Sequence, residues 1–182
     1  MKKQLLLLLM LMPAFSIAQQ NDKLLYGYAY GMIHDGAFGG GLAGNVELWN
    51  LVNIGPAVEL TSFDGHTMIP VFLDLKIKYR LENWSPYASG QFGYNNYNVK
   101  KVQNLTAPSG IEQMTTFNET GKHFYGVGAG IIRHFNKFGI YASYLYRGYT
   151  YKYPRDIKIN DEIVNLDNKQ VSTNVFILGV TF

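Results

Sequence analysis

Hydrophobic and polar side chains alternate with a period of two along most of this chain, and no segment has the spacing of an amphipathic helix. The clearest alternation runs from Ile69 to Tyr79. Its apolar parity consists of Ile69, Val71, Leu73, Leu75, Ile77 and Tyr79, and the other parity contains Phe72, Asp74, Lys76 and Lys78. This pattern predicts a β-strand with one face in an apolar environment and the other in a polar one.

Seven other segments alternate in the same way, which gives eight predicted strands. The segments are 24–32, 38–48, 54–61, 69–79, 86–95, 125–131, 140–147 and a last one that ends on Phe176, Leu178, Val180 and Phe182. In the first segment, the bulky parity is Leu24, Tyr26, Tyr28, Tyr30 and Met32, and the small parity is Gly27, Ala29 and Gly31. Because proline removes a ladder hydrogen bond, we expect a bulge or a shifted boundary at Pro56, whereas Pro70 fits a strand start.

Charged residues indicate which parity faces inward. Within the predicted strands, the charges lie opposite the bulky apolar residues, at Glu47, Glu59, Asp74, Lys76, Lys78 and Arg147. A charge that faced lipid at mid-bilayer would cost roughly 2–4 kcal/mol, so these six are expected in the interior. An eight-stranded barrel has room inside only for side chains, and three acids with three bases predict a salt-bridged plug instead of an open pore. The parity that would face lipid includes Tyr26, Tyr79, Tyr94, Tyr125, Tyr144 and Tyr146, which predicts an aromatic girdle.

These features together predict an all-β fold, an eight-stranded antiparallel up-and-down transmembrane β-barrel. The connections at 50, 80–84 and 135–137 are short and lie on the side of both termini, whereas 34–36, 64–66, 96–123 and 152–168 lie on the other side. Outer-membrane barrels have short periplasmic turns and longer external loops, so the termini are expected in the periplasm. The two long external segments, 96–123 and 152–168, are the expected place for a surface ligand.

The first eighteen residues resemble an export signal. Lys2 and Lys3 form a positive region, an apolar run follows from Leu5 to Met12, and Ser16-Ile17-Ala18 is a small-residue cleavage site. We therefore predict a signal peptide at 1–18 and a barrel at 19–182. No later apolar run is long enough for a transmembrane helix, so any membrane span must be β.

Composition excludes several functions. Of 16 basic residues, Lys2 and Lys3 fall in the predicted signal, so the remainder nearly balances the 13 acidic ones, unlike in a nucleic-acid-binding domain. There is no cysteine, which excludes disulfides and thiol chemistry. No cofactor is expected, and the chain is expected to be a monomer.

A secreted lipocalin-like ligand binder is a rival interpretation, because it too is an exported eight-stranded barrel with the opposite polarity. The segment 69–79 alone fits both. In the lipocalin orientation Gly27, Ala29 and Gly31 would face water, and this favours the membrane barrel.

Several short sequences of this chain resemble those of a known family. The sequences that carry the resemblance are Ile69-Pro70-Val71-Phe72, Ser85-Pro86-Tyr87, the Gly-rich Tyr125 to Gly130 and the terminal Phe182. Together with the signal sequence and the eight alternating segments, they look like the outer-membrane β-barrel proteins of the OmpA/OmpX type. The resemblance covers the whole predicted mature chain and implies a location in the Gram-negative outer membrane. It also implies that Phe182 is recognised by the barrel-assembly machinery.

Some small barrels modify lipids, so acyl transfer or deacylation is the enzymatic alternative. His34 adjoins Asp35, and His66 follows Ser62 and Asp64, which are the residue types of a hydroxyl-activating group. His34, His66 and His123 could also meet at the external rim as metal ligands, although their spacing matches no metal motif. Adjacent residues of a strand point to opposite faces, which argues against the catalytic grouping. We expect a structural or surface-interaction role without enzymatic activity.

Overall fold

The computed structural model describes residues 25–182, so the predicted signal peptide at 1–18 lies outside the described residues. The strands are β1 Leu25–His34, β2 Ala37–Leu48, β3 Val52–Phe63, β4 His66–Lys78, β5 Trp84–Asn96, β6 Asn98–Thr106, β7 Glu112–His134, β8 Gly139–Lys152, β9 Ile157–Ile159, β10 Glu162–Val164 and β11 Lys169–Thr181. In this part of the chain, no helix is long and apolar enough to cross a membrane.

Eight of the strands close into one antiparallel barrel, in the order β1, β2, β3, β4, β5, β7, β8 and β11, with β11 paired to β1. The consecutive strands β1 to β5 and the pair β7 and β8 are joined by short turns, whereas β6 lies between β5 and β7, and β9 with β10 lies between β8 and β11. Asp35-Gly36 and Asp64-Gly65 make two-residue turns with positive φ at both positions, as the right-handed twist of paired strands requires. The predicted eight-stranded up-and-down fold is confirmed.

The predicted faces are correct for seven of the eight barrel strands and wrong for the first. In β1, Tyr28 and Met32 are buried in the core, and Ile33 is exposed on the outer face. The bulky parity therefore points inward, and Gly27, Ala29 and Gly31 lie on the outside. The prediction for β1 used only the difference in side-chain size between its two parities, because the strand has no charged residue before His34 to show which parity is interior. The argument against a lipocalin that used these small residues was therefore also wrong.

The expected bulge at Pro56 is absent, although the pairing of β2 with β3 is interrupted there. Ala43 pairs with Ala57 and Val46 pairs with Ile54 in the same register, so no residue is inserted, but no pairing joins Gly44 and Asn45 to Pro56 and Gly55. The boundary is not displaced toward Pro56 either, since β3 begins at Val52. A bulge lies instead in β7, between Gly121 and Phe124, where the register against β8 shifts.

The segment 96–123 is a β-ribbon and not an irregular loop. β6 pairs with the first half of β7, from the pair Asn98 and Thr120 to the pair Thr106 and Glu112, and the ribbon continues the barrel wall beyond the end opposite the termini. Within 152–168, β9 and β10 form a small hairpin. The two elements share a second hydrophobic core, made of Leu105, Ala107, Phe117, Ile157 and Ile159.

Candidate functional site

All six charged residues that the sequence assigned to the interior are buried in the barrel. They form three ion pairs, Glu47–Lys78, Asp74–Lys76 and Glu59–Arg147. Glu59, Asp74 and Lys76 come from β3 and β4, whose strict alternation aims every second side chain inward.

The Arg147–Glu59 pair is completely enclosed, with neither side chain exposed to solvent. The Arg147 guanidinium donates two parallel hydrogen bonds to the Glu59 carboxylate, at 2.6 Å from Nη1 to Oε2 and 2.8 Å from Nη2 to Oε1. The Tyr30 hydroxyl donates a third bond to Glu59, at 2.6 Å. This bidentate geometry is the arrangement in which a buried pair best offsets its desolvation.

Gln91 connects this pair to the next one. Its Oε1 accepts a hydrogen bond from Nε of Arg147 at 2.9 Å, and its Nε2 donates to Asp74 at 3.2 Å. Asp74 also accepts from Nδ2 of Asn45 at 3.0 Å and pairs with Lys76. The ammonium of Lys76 lies 4.3 Å from the centre of the Tyr28 ring. The two pairs therefore belong to one hydrogen-bonded network.

The third pair lies nearer the end of the barrel that carries the termini. Nζ of Lys78 donates to Glu47 at 2.6 Å and lies 4.6 Å from the centre of the Tyr26 ring. Tyr26 was expected on the outer face, and this inward contact corrects that expectation. The cause is the inverted face of β1.

Little free space remains between these side chains. The cavity beside Asp74, Lys76 and Gln91 measures about 10 Å³, which has room for roughly one water molecule. Toward the end that carries the ribbon, aromatic rings fill the barrel interior. The Phe72 ring packs edge-on against the Phe124 ring, with ring centres 5.3 Å apart, and Phe124 stacks on Tyr149. Among the described residues, this part of the interior is therefore filled by polar and aromatic side chains.

Sequence reasoning missed the neutral members of the interior. Asn45, Asn53, Gln91 and Tyr30 share the inward parity, yet none carries a charge that would have marked it. The alternation could have found Asn45, which lies two residues before Glu47, and Gln91, which faces the same way as Ser89. Tyr30 could not be found, because its strand was assigned the wrong face.

The candidate catalytic residues His34, Asp35, Ser62 and Asp64 line one cavity of about 480 Å³ at the rim of the barrel, but no hydrogen bond among the described residues joins them into a catalytic group. His34 is buried, and its Nε2 lies 2.6 Å from Oγ1 of Thr61. Within residues 25–182, no described hydrogen bond joins His34 to Asp35 or Ser62. The side chain of Asp64 pairs with Lys101.

The three histidines considered as metal ligands also stay apart. The His66 ring packs against Tyr97 at 6.4 Å, and Nε2 of His123 lies 3.3 Å from Oγ1 of Thr150. No group of three or more potential metal-ligating side chains occurs among the described residues.

The outer surface of the barrel is an apolar band. On β4 and just after it, Ile69, Val71, Leu73, Ile77 and Tyr79 are exposed. The distance from Ile69 to Tyr79 is about 33 Å along the strand at roughly 3.3 Å per residue, and with a tilt near 40° the height is about 25 Å. Five of the six tyrosines predicted for the girdle are exposed, namely Tyr79, Tyr94, Tyr125, Tyr144 and Tyr146.

The β6–β7 ribbon is attached to the rim of the barrel by ion pairs. Lys101 of β6 pairs with Asp64 in the β3–β4 turn, and this hydrogen bond lowers the pKa of Asp64 and raises that of Lys101. Glu119 is almost fully buried and lies 3.8 Å from Nζ of Lys101 and 3.9 Å from Nζ of Lys169. Glu119 also accepts a hydrogen bond from Tyr153 at 3.1 Å. Burial, followed by the charge of Glu119, raises the pKa of Tyr153 to about 12.

Phe182 lies at the seam where β1 and β11 close the barrel. Its backbone exchanges two hydrogen bonds with Gly27, at 2.9 and 3.0 Å. Its ring occupies the space that a side chain at Gly27 would need, since a Cβ there would lie 2.4 Å from the ring. The ring is nevertheless 60% exposed on the outer surface.

Comparison with known proteins found similar solved structures. The N-terminal β-barrel domain of OprF from Pseudomonas aeruginosa is 16% identical in sequence. The alignment covers 87% of this chain and 96% of the OprF domain, and the TM-score is 0.46. Neisserial surface protein A (NspA) is 11% identical in sequence. The alignment covers 86% of this chain and 92% of the NspA chain, and the TM-score is 0.47. The NanC porin is 14% identical, with 86% and 98% coverage and a TM-score of 0.25. No protein-family model and no curated protein matches the chain.

Proposed function

We propose that the chain is an integral outer-membrane β-barrel with a structural or surface-interaction role. The observation that carries this proposal is the apolar band, about 25 Å tall by strand geometry, around an interior of paired charges. In water, such a band would be an exposed apolar surface far larger than soluble monomers tolerate. Outer-membrane lipids are therefore the proposed surroundings, and a monomer satisfies every barrel edge by closure.

The interior is proposed to be closed to ions. The Arg147–Glu59 pair, Gln91 and the Phe72–Phe124 contact occupy the cross-section, and the residual cavity holds about one water. Any conduction would require several of these contacts to break together. A passive pore is therefore not the function that we propose.

The function of the barrel is proposed to lie at its external end. The β6–β7 ribbon with β9 and β10 forms a folded unit above the rim, and it has its own core and charged attachments. A rigid external element presents side chains in fixed positions, which suits a surface contact better than a mobile loop does. Phe182, exposed at the seam, is the proposed contact for the assembly machinery.

We propose that the chain is not a lipid-modifying enzyme. This rests on the contacts of His34, which bonds Thr61 and is not joined to Asp35 or Ser62 by any hydrogen bond described for residues 25–182. Thr61 is itself buried, so its hydroxyl is not open to a substrate acyl group.

Two measurements test the proposal. After expression with its own leader, the protein should be recovered in the outer-membrane fraction, resistant to salt and carbonate, and should migrate differently on gels with and without boiling. In planar bilayers the purified protein should show no steady large conductance. Recovery in the soluble periplasmic fraction would contradict the membrane proposal, and a stable wide channel would contradict the closed interior.

A further inference from the structure

The bulge in β7 gives this strand an unusual outer surface. In a regular strand, Lys122 and His123 would point to opposite faces, and one of them would enter the barrel. The register shift between Gly121 and Phe124 removes that alternation, and both side chains are exposed. Below the bulge Phe124 is buried, and above it Glu119 is buried, so the interior is filled on both sides. Bulges at barrel rims often re-aim side chains in this way.

Other polar groups surround the two re-aimed side chains. Lys152 of β8 pairs with Thr120, and Oγ1 of Thr150 lies 3.3 Å from Nε2 of His123. Tyr94 of β5 pairs with His123 from the other side. We call this group the basic rim patch, and it consists of Lys122, His123, Thr150 and Lys152.

The charge of the patch is not neutralised by the nearest carboxylate of the ribbon. Glu119 is on the opposite face of β7, where it is almost fully buried and contacts Lys101 and Lys169. Both lysines of the patch are exposed. The outer face of the wall therefore carries an excess of positive charge at this height.

The height of the patch corresponds to a membrane surface. Tyr125 is the last outward aromatic residue of the band on β7, and Lys122 follows it by three residues toward the external end. Three residues at roughly 3.3 Å, tilted by about 40°, correspond to about 8 Å. The headgroup layer of a bilayer is about 5–8 Å thick on each side, so Lys122 lies at the level of lipid phosphates.

We propose that the basic rim patch binds the phosphate of a lipid headgroup in the external leaflet. Lys122 and Lys152 supply the charge, the exposed ring of His123, held by the buried Thr150, supplies a hydrogen-bonding group, and Tyr94 and Tyr125 contact the upper part of the acyl chains. A free phosphate would be held only by the exposed patch itself, in high dielectric, whereas a lipid is also held by the apolar band directly below. This inference rests on the proposed membrane location.

The test uses the full mature chain reconstituted in phosphatidylcholine nanodiscs, with diphosphorylated lipid A as the probe. Bound lipid is counted by native mass spectrometry as the probe is titrated. Each lysine near a charged lipid surface is worth about a 5-fold change in affinity, so Lys122→Gln/Lys152→Gln should weaken binding by about 30-fold. The matched control is Lys137→Gln/Lys158→Gln, which removes the same charge at the β7–β8 turn and on β9 and should leave binding unchanged. Lipid A without phosphates should bind all variants equally weakly.

Three outcomes would overturn the inference. They are an equal loss in the control variant, no loss in the patch variant, and displacement of the probe by millimolar inorganic phosphate, which would indicate a site for free anions. Failure of the membrane proposal would be seen earlier, because the unmodified chain would then not insert into nanodiscs at all. Comparable boiling-dependent gel mobility of all variants is the check that they are folded.

Discussion

Removal of one partner from the Arg147–Glu59 pair tests whether the buried network maintains the barrel. Glu59→Leu deletes the carboxylate that accepts two bonds from Arg147 and one from Tyr30, and it leaves a guanidinium with no exposure to solvent. An uncompensated charge in such a place costs about 3–5 kcal/mol. We expect the free energy of unfolding to fall by that amount, and Lys76→Leu should destabilise in the same direction.

The assay is reversible urea unfolding in lipid vesicles, followed by the fluorescence of the two tryptophans and by gel mobility. The double variant Glu59→Leu/Arg147→Met removes both charges and should recover most of the loss, because an apolar pair of similar volume is close to neutral. Glu112→Leu, at the exposed tip of the ribbon, should change stability by less than about 0.5 kcal/mol.

The reasoning is refuted if Glu59→Leu is no more destabilising than Glu112→Leu. It is equally refuted if the double variant is less stable than Glu59→Leu alone, because the unpaired charge would then not be the cause. Since urea slopes scale with the surface exposed on unfolding, equal slopes are needed before the midpoints are compared.

Three further predictions concern the wall, the ribbon and the histidines. Gly55→Ala should destabilise by about 1–3 kcal/mol in the same urea assay, because its Cβ would lie 1.9 Å from the carbonyl oxygen of Gly44, whereas Gly44→Ala meets nothing within 4 Å and should be neutral; equal stabilities would contradict the close packing. Replacement of 101–117 by Asn-Gly shortens both paired strands of the ribbon equally. The barrel should stay folded, as measured by circular dichroism, while amide exchange in β9 and β10 becomes fast because their shared core is lost. Loss of the barrel signal would show that the ribbon is needed for folding. His34→Ala and His66→Ala should leave the lipid A and phospholipid composition of the membrane unchanged by mass spectrometry, and altered acylation in either variant would favour the enzyme.

Much of the fold could be predicted from local pattern. In 69–79 all three charges share one parity and six apolar residues share the other, and one inward charge fixes the face of a whole strand because the side-chain period is two. The same rule located the six buried charges. It could not say which charge meets which, because Glu59 and Arg147 are 88 residues apart and only the closure of the barrel brings them together.

Where a strand has no charge, or both of its faces are polar, the pattern is insufficient. β1 was given the wrong face because its two parities differ only in size, and the ribbon was taken for a loop because Thr115, Thr116, Asn118 and Thr120 leave no apolar parity to detect. The bulge at Gly121 changes the inward parity of β7 within one strand, so a single alternation could not describe it.

The sequence by itself therefore determined the class of fold, the number of barrel strands and the side on which the charges lie, because these follow from a period of two and the free energy of placing a charge in an apolar medium. Only the tertiary structure decided the ion-pair partners, the inward direction of the tyrosines of β1, the folded ribbon above the rim and the outward position of both Lys122 and His123. Each of these depends on which strand lies beside which and in what register. That information is shared between distant segments and is absent from any one of them.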